Sequence, residues 1–454
     1  MSKKRYGIIS LILIVATLFN LSGCTKKKNE KEPKKPSKKI TKNIPKWSDC
    51  YFYISPDGDT LYVTTENPRE NKKKMKDDTL YTINSLDDNC YMPEKDDKTD
   101  IYQYQLSGFC TSVKTIKLEK EISAPKRSNE LFSKLKNLED ISDLKKLDVS
   151  ETQEMKEMFS GCENLKDLSG IENWDTGNVE NMSEMFSNCK NLSSLEPLKK
   201  WDTSNVTCAE EMFAHCEKIT NLSGLEKWNT SKNTTTQNMF YACDNLEDIS
   251  ALKNWNTTKV LTMRSMFEYD EKIKDISVLS KWNTSNVKNM DAMFSNCKKI
   301  ENLSGLNKWN VSSVESMNHM FSKCKNLKDI SALEKWNVAN LQNTESMFAF
   351  CRQLEDVSAL KKWNMSKTND LSYMFWNCEK LKDPKVLNGW KINPKNQKLT
   401  SCFASTYPDN SCAHHNKESE LKHMKYFPDW YIDEYIRHSL NSNYLKKQKS
   451  KNNL

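Results

Sequence analysis

The stretch MFSNCKNLSSLEPLKKWDTSNVT, Met185 to Thr207, decides how this chain folds, because it returns along the sequence at a fixed spacing. Its Met-Phe pair recurs with Phe at 159, 186, 213, 240, 267, 294, 321, 348 and 375, each 27 residues after the last. Its Trp recurs at 174, 201, 228, 255, 282, 309, 336, 363 and 390. Its Cys recurs at 162, 189, 216, 243, 297, 324, 351 and 378, with Asp270 standing where one further Cys is due. Self-similarity of this period is the mark of a solenoid, in which no unit buries its own apolar face and neighbours must stack. Phe132, Leu135, Leu138 and Leu147 form a degenerate copy one register earlier, expected to be an N-terminal cap unit.

Within a unit, spacing says where each residue points. From Leu165 through Leu168 and Ile171 to Trp174 an apolar residue falls at every third position, predicting a short strand near 165–168 in a leucine-rich-repeat turn. Val179, Met182, Met185, Phe186 and Cys189 then fall at helical steps, and Asp175-Thr-Gly-Asn offers capping residues before them, which predicts a helix-like turn. With strands about 4.8 Å apart, nine such coils make a stack roughly 40 Å long.

The run at 185–207 and its counterpart KWNTSNVKNMDAMFSNCKKIENL, Lys281 to Leu303, resemble the repeat of the BspA-like leucine-rich-repeat surface proteins found among mycoplasma-type and other bacterial lipoproteins. The similarity spans roughly 155–400. It implies an α/β leucine-rich-repeat-like solenoid of about nine 27-residue units outside the cell, non-enzymatic, with a role in adhesion to host proteins or cells.

Working outward, the first 24 residues read as an export signal. Lys3, Lys4 and Arg5 precede an apolar run from Gly7 to Phe19, and Leu21-Ser22-Gly23-Cys24 resembles a bacterial lipobox. By that resemblance Cys24 is acylated, palmitate-type chains anchor the protein to the membrane, and the alternative is an ordinary signal peptide with an incidental Cys. Residues 25–46 hold ten Lys, two Glu and no aromatic residue, a composition expected to form an extended tether, solvated or lying against anionic lipid. The chain's net charge of +8 is set here: residues 1–46 carry +11, which leaves −3 for the remainder. The basic balance therefore gives no support to a nucleic-acid partner.

The β-prone runs around Asp57-Gly58 predict a hairpin in a small β-rich domain. After Pro428 and Asp429, the shared spacing of Ile432, Ile436 and Leu440 predicts a helical C-terminal cap over the last coil. The expected division is thus 1–23 signal peptide, 24–46 acylated Cys and tether, 47–125 β-rich domain, 126–403 solenoid, and 404–454 cap and tail.

Candidate chemistry is sparse. The register Trp residues could form a sugar-stacking ladder, but they continue the every-third series of core leucines and are expected to be buried. The register Cys residues likewise continue an apolar face and are expected to be small buried thiols rather than metal ligands. Outside the register stand Cys50, Cys90, Cys110, Cys208, Cys402 and Cys412, with Cys402 and Cys412 the best local disulfide pair; with His414 and His415 the alternative is a zinc site of no recognised spacing. Asp57 and Asp59 lack the other ligands of a calcium loop. The six His, at 215, 319, 414, 415, 423 and 438, accompany no nucleophile elbow, zinc-protease or phosphate-loop motif, so neither an enzyme nor a cofactor is expected. What remains is a polar strip beside the expected strand. Lys166 and Asp167, Glu247 and Asp248, Lys274 and Asp275, Lys328 and Asp329, and Glu355 and Asp356 should form ladders of mixed charge, the candidate ligand-binding face.

Overall fold

The computed structural model describes residues 44–55, 57–66, 81–82, 112–392, 397–404, 406 and 426–432. The signal segment with Cys24, most of the tether, Cys90, Cys110, Cys412, His414, His415, Ile436 and Leu440 lie outside them.

Alternating apolar residues build the first sheet. β1 (Tyr51–Ile54) and β2 (Thr60–Thr64) pair antiparallel on either side of Asp57-Gly58, with Tyr51 opposite Thr64. Gly58 supplies the left-handed backbone of the connection at φ 79°. β3 (Tyr81–Thr82) pairs with β1, and β4 (Thr115–Leu118) joins β2 in parallel, giving the order β3-β1-β2-β4. Phe52, Ile54, Leu61, Val63, Ile116 and Leu118 turn inward, while Tyr53 and Tyr62 stack at 4.8 Å on the other face. β5 (Ile122–Ser123) pairs in parallel with β6 (Leu147–Asp148), and Thr115 bridges to Asp140, so this sheet leads directly into the first coil. Trp47, 2% exposed, packs on Phe52 and on Phe132, covering one end of the phenylalanine stack.

That stack is the axis of the solenoid. From Phe132 to Phe403 consecutive rings lie 5.2–5.9 Å apart, near-parallel along most of the series. Each ring is buried and replaces water with the rings above and below, worth about 0.5–1.5 kcal/mol per pair beyond the area buried. Phe403 comes 28 residues after Phe375, so one inserted residue separates a further copy of the motif from the others, and Cys402 occupies its Met position as a buried free thiol. Phe427 and Tyr431 pack on Phe403, and Trp430 stacks on Trp390 at 5.9 Å, beside a helical turn at 429–432.

Two expectations about the coil need correction. Where a strand was expected near 165–168, that register carries only isolated parallel bridges in other coils, Asn221 with Asp248 and Asn302 with Asp329, and a 3-10 turn follows at Ser169–Ile171, with counterparts at Ser250–Asn254, Ser277–Lys281, Ser304–Leu306, Ser331–Leu333 and Ser358–Leu360. The unbroken parallel series of bridges lies instead beside the segment read as a helix-like turn, running from Arg127 through Glu154, Asn181, Cys208, Thr235, Thr262, Asn289, Ser316, Asn343 and Asp370 to Lys398.

The segment after each bridge is no helix. N–H groups of Met155, Glu157, Phe159 and Gly161 donate to Asn181, Ser183, Met185 and Ser187 of the next coil at 2.7–2.9 Å. Those of Met158, Ser160 and Cys162 close three-residue turns within their own coil. Alternate N–H groups can face the neighbour because the left-handed region is visited at Glu157, Glu184 and Glu211 and again at Gly161, Asn188 and His215, a pattern repeated up the stack. Left-handed residues other than Gly cost on the order of 1–2 kcal/mol each, offset here by the inter-coil hydrogen bonds. Coils also approach closely at the 3-10 turn: a Cβ on Gly305 would lie 2.1 Å from the Ile276 carbonyl oxygen.

Candidate interaction surface

The side chains with the most chemistry are spent inside the stack. Each register indole, 3–7% exposed, donates its Nε1–H to a carbonyl one coil back at 2.8–3.2 Å, from Trp174 to Leu144 through Trp390 to Leu360. Neighbouring indoles stack, as Trp174 on Trp201 at 6.2 Å and Trp282 on Trp309 at 6.4 Å. A sugar ring has no face of these residues to stack on, which removes the basis of the glycan ladder. The thiols follow the same rule: each register Cys donates to a Phe carbonyl one coil back at 3.1–3.3 Å, from Cys162 to Phe132 through Cys378 to Phe348. Burial pushes their titration far up, so they remain protonated and unreactive. Among the described residues no cluster of three or more potential ligands could hold a metal ion.

Asp270 is the exception within that ladder. It is fully buried, its Oδ1 accepts from the Cys243 N–H at 2.8 Å, and its Oδ2 has no partner among the described residues. Burial raises its carboxyl well above the usual range, so it sits in the core as the neutral acid. Asp270 therefore leaves out the thiol-to-carbonyl hydrogen bond that a Cys makes in the other coils.

The predicted strip does lie on the surface. Lys166, Asp167, Glu247, Asp248, Lys274, Asp275, Lys328, Asp329 and Asp356 are exposed and Glu355 is half-buried. Its first position is self-paired in the upper coils, Lys328 with Glu301 at 3.6 Å and Lys382 with Glu355, the latter holding the Glu355 carboxyl below its ordinary range. Its second position has a local task that sequence spacing did not reveal. Asp167, Asp248, Asp275, Asp329 and Asp356 each accept, at 2.8–2.9 Å, the N–H of the Ser two residues on, the first residue of the 3-10 turn. A carboxylate oxygen two residues before an orphan N–H is an Asx turn, and it explains Asp at this position without any ligand. The strip forms a shallow depression near Glu247, Lys272 and Lys274.

A second surface was not found by sequence reasoning. On the left-handed turns, positions that hold Ser160 and Gly161, Ser187 and Asn188, or Ser295 and Asn296 carry aromatic residues in other coils. His215 meets Tyr241 edge-on at 5.2 Å, and Tyr241 meets Tyr269 at 5.5 Å. Higher up, Phe350 and Tyr373 both contact Trp376, at 4.7 and 5.4 Å. The available signal was the departure of these residues from the small polar ones at the same register positions.

Comparison with known proteins places the chain as follows. A family model described as "Mycoplasma protein of unknown function, DUF285" matches residues 126–250, 217–327 and 300–414, together more than half of the chain. No protein of curated function matches it significantly. A leucine-rich repeat protein from Eubacterium ventriosum is 13% identical, covering 76% of this chain and 94% of its own, with a TM-score of 0.26. A leucine rich cell surface protein from Faecalibacterium prausnitzii is 15% identical, covering 79% and 91%, with a TM-score of 0.24. The functional domain of InlJ from Listeria monocytogenes, described as including a cysteine ladder, is 13% identical over 63% of each chain, with a TM-score of 0.16.

Proposed function

The chain belongs to the family described as Mycoplasma protein of unknown function, DUF285, and from that premise we propose that it is a non-enzymatic interaction module, lipid-anchored at the cell surface. In this reading it is a BspA-like lipoprotein: Cys24 is the acylated residue, the Lys-rich segment is a spacer, and the solenoid engages host proteins or cells. One observation carries the proposal. The register Trp and Cys side chains that could bind or react are consumed by coil-to-coil hydrogen bonds, leaving, among the described residues, a long surface whose composition changes from coil to coil free to select a partner. Weak contacts repeated along such a surface gain strength when many copies are displayed on one cell.

The test is capture by the purified full-length chain of intact host cells and of immobilised extracellular-matrix proteins. Saturable capture is expected. A second reading, a spacer or variable antigen with no dedicated ligand, is favoured by one feature, the internal pairing of charges along the strip. Surface display without saturable capture of any of these targets would decide for it.

A further inference from the structure

We propose that the row His215, Tyr241 and Tyr269, with Glu211 and Glu268 beside it, is a docking site for a partner segment that presents Lys or Arg side chains. The inference rests on the reading of the chain as an interaction module and names the surface and the partner chemistry.

The row begins with backbone. His215 and Tyr269 occupy left-handed positions, at φ 59° and 70°, that tip their side chains off the coil, and Tyr269, 36% exposed, is the outermost ring. The three rings touch edge to face across successive coils, so they form one continuous patch rather than isolated surface aromatics. Small or polar side chains hold these turns elsewhere, as Asn188 and Asn296 do, so rings are not needed to make the turn.

The charges around the patch have one sign in excess. Burial, then the charges of Glu268, Tyr269 and Glu211, push the Tyr241 hydroxyl up, and Glu268 holds in its own coil the register position that Tyr241 holds one coil back. Glu210 is raised by burial and by Glu211 and Glu184, Glu184 by burial and by Glu157, and Asp244 by burial and by Glu217 and Glu271. Neighbouring cations are engaged: Lys156 with Glu157 and Glu184, Lys298 with Glu271, and Lys272 with Asn245. Arg264 borders the patch, and His215 itself offsets part of the charge felt by Asp244.

Carboxylates crowded against one another and near a tyrosine hydroxyl are relieved by a cation. A guanidinium or ammonium group over a tyrosine ring gains from the ring quadrupole and from the carboxylates at the same time. A neutral sugar would use the rings but would leave the carboxylate crowding in place, so charge complementarity favours the basic segment.

The probe is a fluorescein-labelled nona-arginine peptide, titrated by polarisation into full-length protein in mild detergent at 150 mM salt. A nona-glutamate peptide and a labelled neutral oligosaccharide serve as alternatives. The peptide is expected to bind saturably. Tyr241→Ala with Tyr269→Ala, and separately Glu211→Gln with Glu268→Gln, should weaken it at least tenfold. Tyr241→Phe with Tyr269→Phe should keep binding, which guards against a misfolded alanine variant. Asp248→Asn with Asp275→Asn removes two negative charges from the other face and should change little. Equal loss in that control, no binding of nona-arginine, or binding of the oligosaccharide in its place would overturn the site. Failure of peptide binding with host-cell capture intact would overturn this assignment alone, whereas failure of both would also overturn the interaction reading.

Discussion

Replacing Asp270 with Cys restores the residue that the register demands, and its effect should grow with pH. The folded-state carboxyl is raised well above its ordinary value of 3.8 by complete burial. Between the unfolded and folded pKa values the native state holds a proton that the unfolded state has lost. Stability therefore falls as pH rises through that window, by up to about 1.4 kcal/mol per pH unit. From pH 5.5 to 7.5 the ceiling on that loss, set by a proton retained throughout the range, is about 2.7 kcal/mol, roughly 5–10 °C in Tm for a body of this size. Asp270→Cys has no such titration, and its thiol donor meets the Phe240 carbonyl as the other register thiols meet theirs. Urea unfolding of both proteins at pH 5.5, 6.5 and 7.5 measures the gap directly. Glu184 and Glu210, also raised, are present in both proteins and drop out of the difference. The variant should lead by more at each step. A gap that stays constant across the three pH values would refute the claim that a neutral acid is buried in the ladder.

Four other outcomes follow from the geometry. Asp248→Asn, Asp329→Asn and Asp356→Asn keep the acceptor of the Asx turn and should each shift stability by under about 0.5 kcal/mol, while the Ala variants lose about 0.5–2 kcal/mol each; equal urea midpoints for Asn and Ala would discard the turn role. If the triple Asn variant stays folded and still captures host cells, the strip is not the binding surface. Trp282→Phe removes the indole donor from the Leu252 carbonyl, which keeps the Trp255 N–H, and loss of that one hydrogen bond should cost about 0.5–1.5 kcal/mol by urea unfolding, while iodide should quench little of the native tryptophan emission. The register thiols should resist DTNB in the native protein and react in denaturant, and rapid native reaction of them would contradict their burial.

The period and the inward-facing residues could be read from the sequence because each register Phe, Trp and Cys does one job in every coil. The path of the backbone could not. Met182, Met185, Phe186 and Cys189 have spacings that satisfy a helix and equally satisfy consecutive three-residue turns, since both bring residues three apart to one side. The difference lies in left-handed residues such as Glu184 and Asn188, and Glu carries no turn signature comparable to Gly. Cys402 was read as a loop cysteine because one inserted residue broke the register that would have marked it as core, and its suggested partner Cys412 lies outside the described residues. The acidic half of the strip looked like a ligand contact because an Asx turn and a binding carboxylate have the same sequence. The aromatic row went unseen for the opposite reason: it occupies positions that differ among coils, and attention to the repeat passes over them.

Surface display is the premise on which every proposed contact with a host depends. It is tested most directly by brief trypsin treatment of intact cells, with detection of the solenoid in the supernatant. Cleavage in the lysine-rich segment 25–46 should release a folded fragment carrying residues 126–404 while the cells stay intact. Retention of the whole protein on intact cells, with that fragment formed only after lysis, would place the solenoid inside the envelope and contradict the surface role.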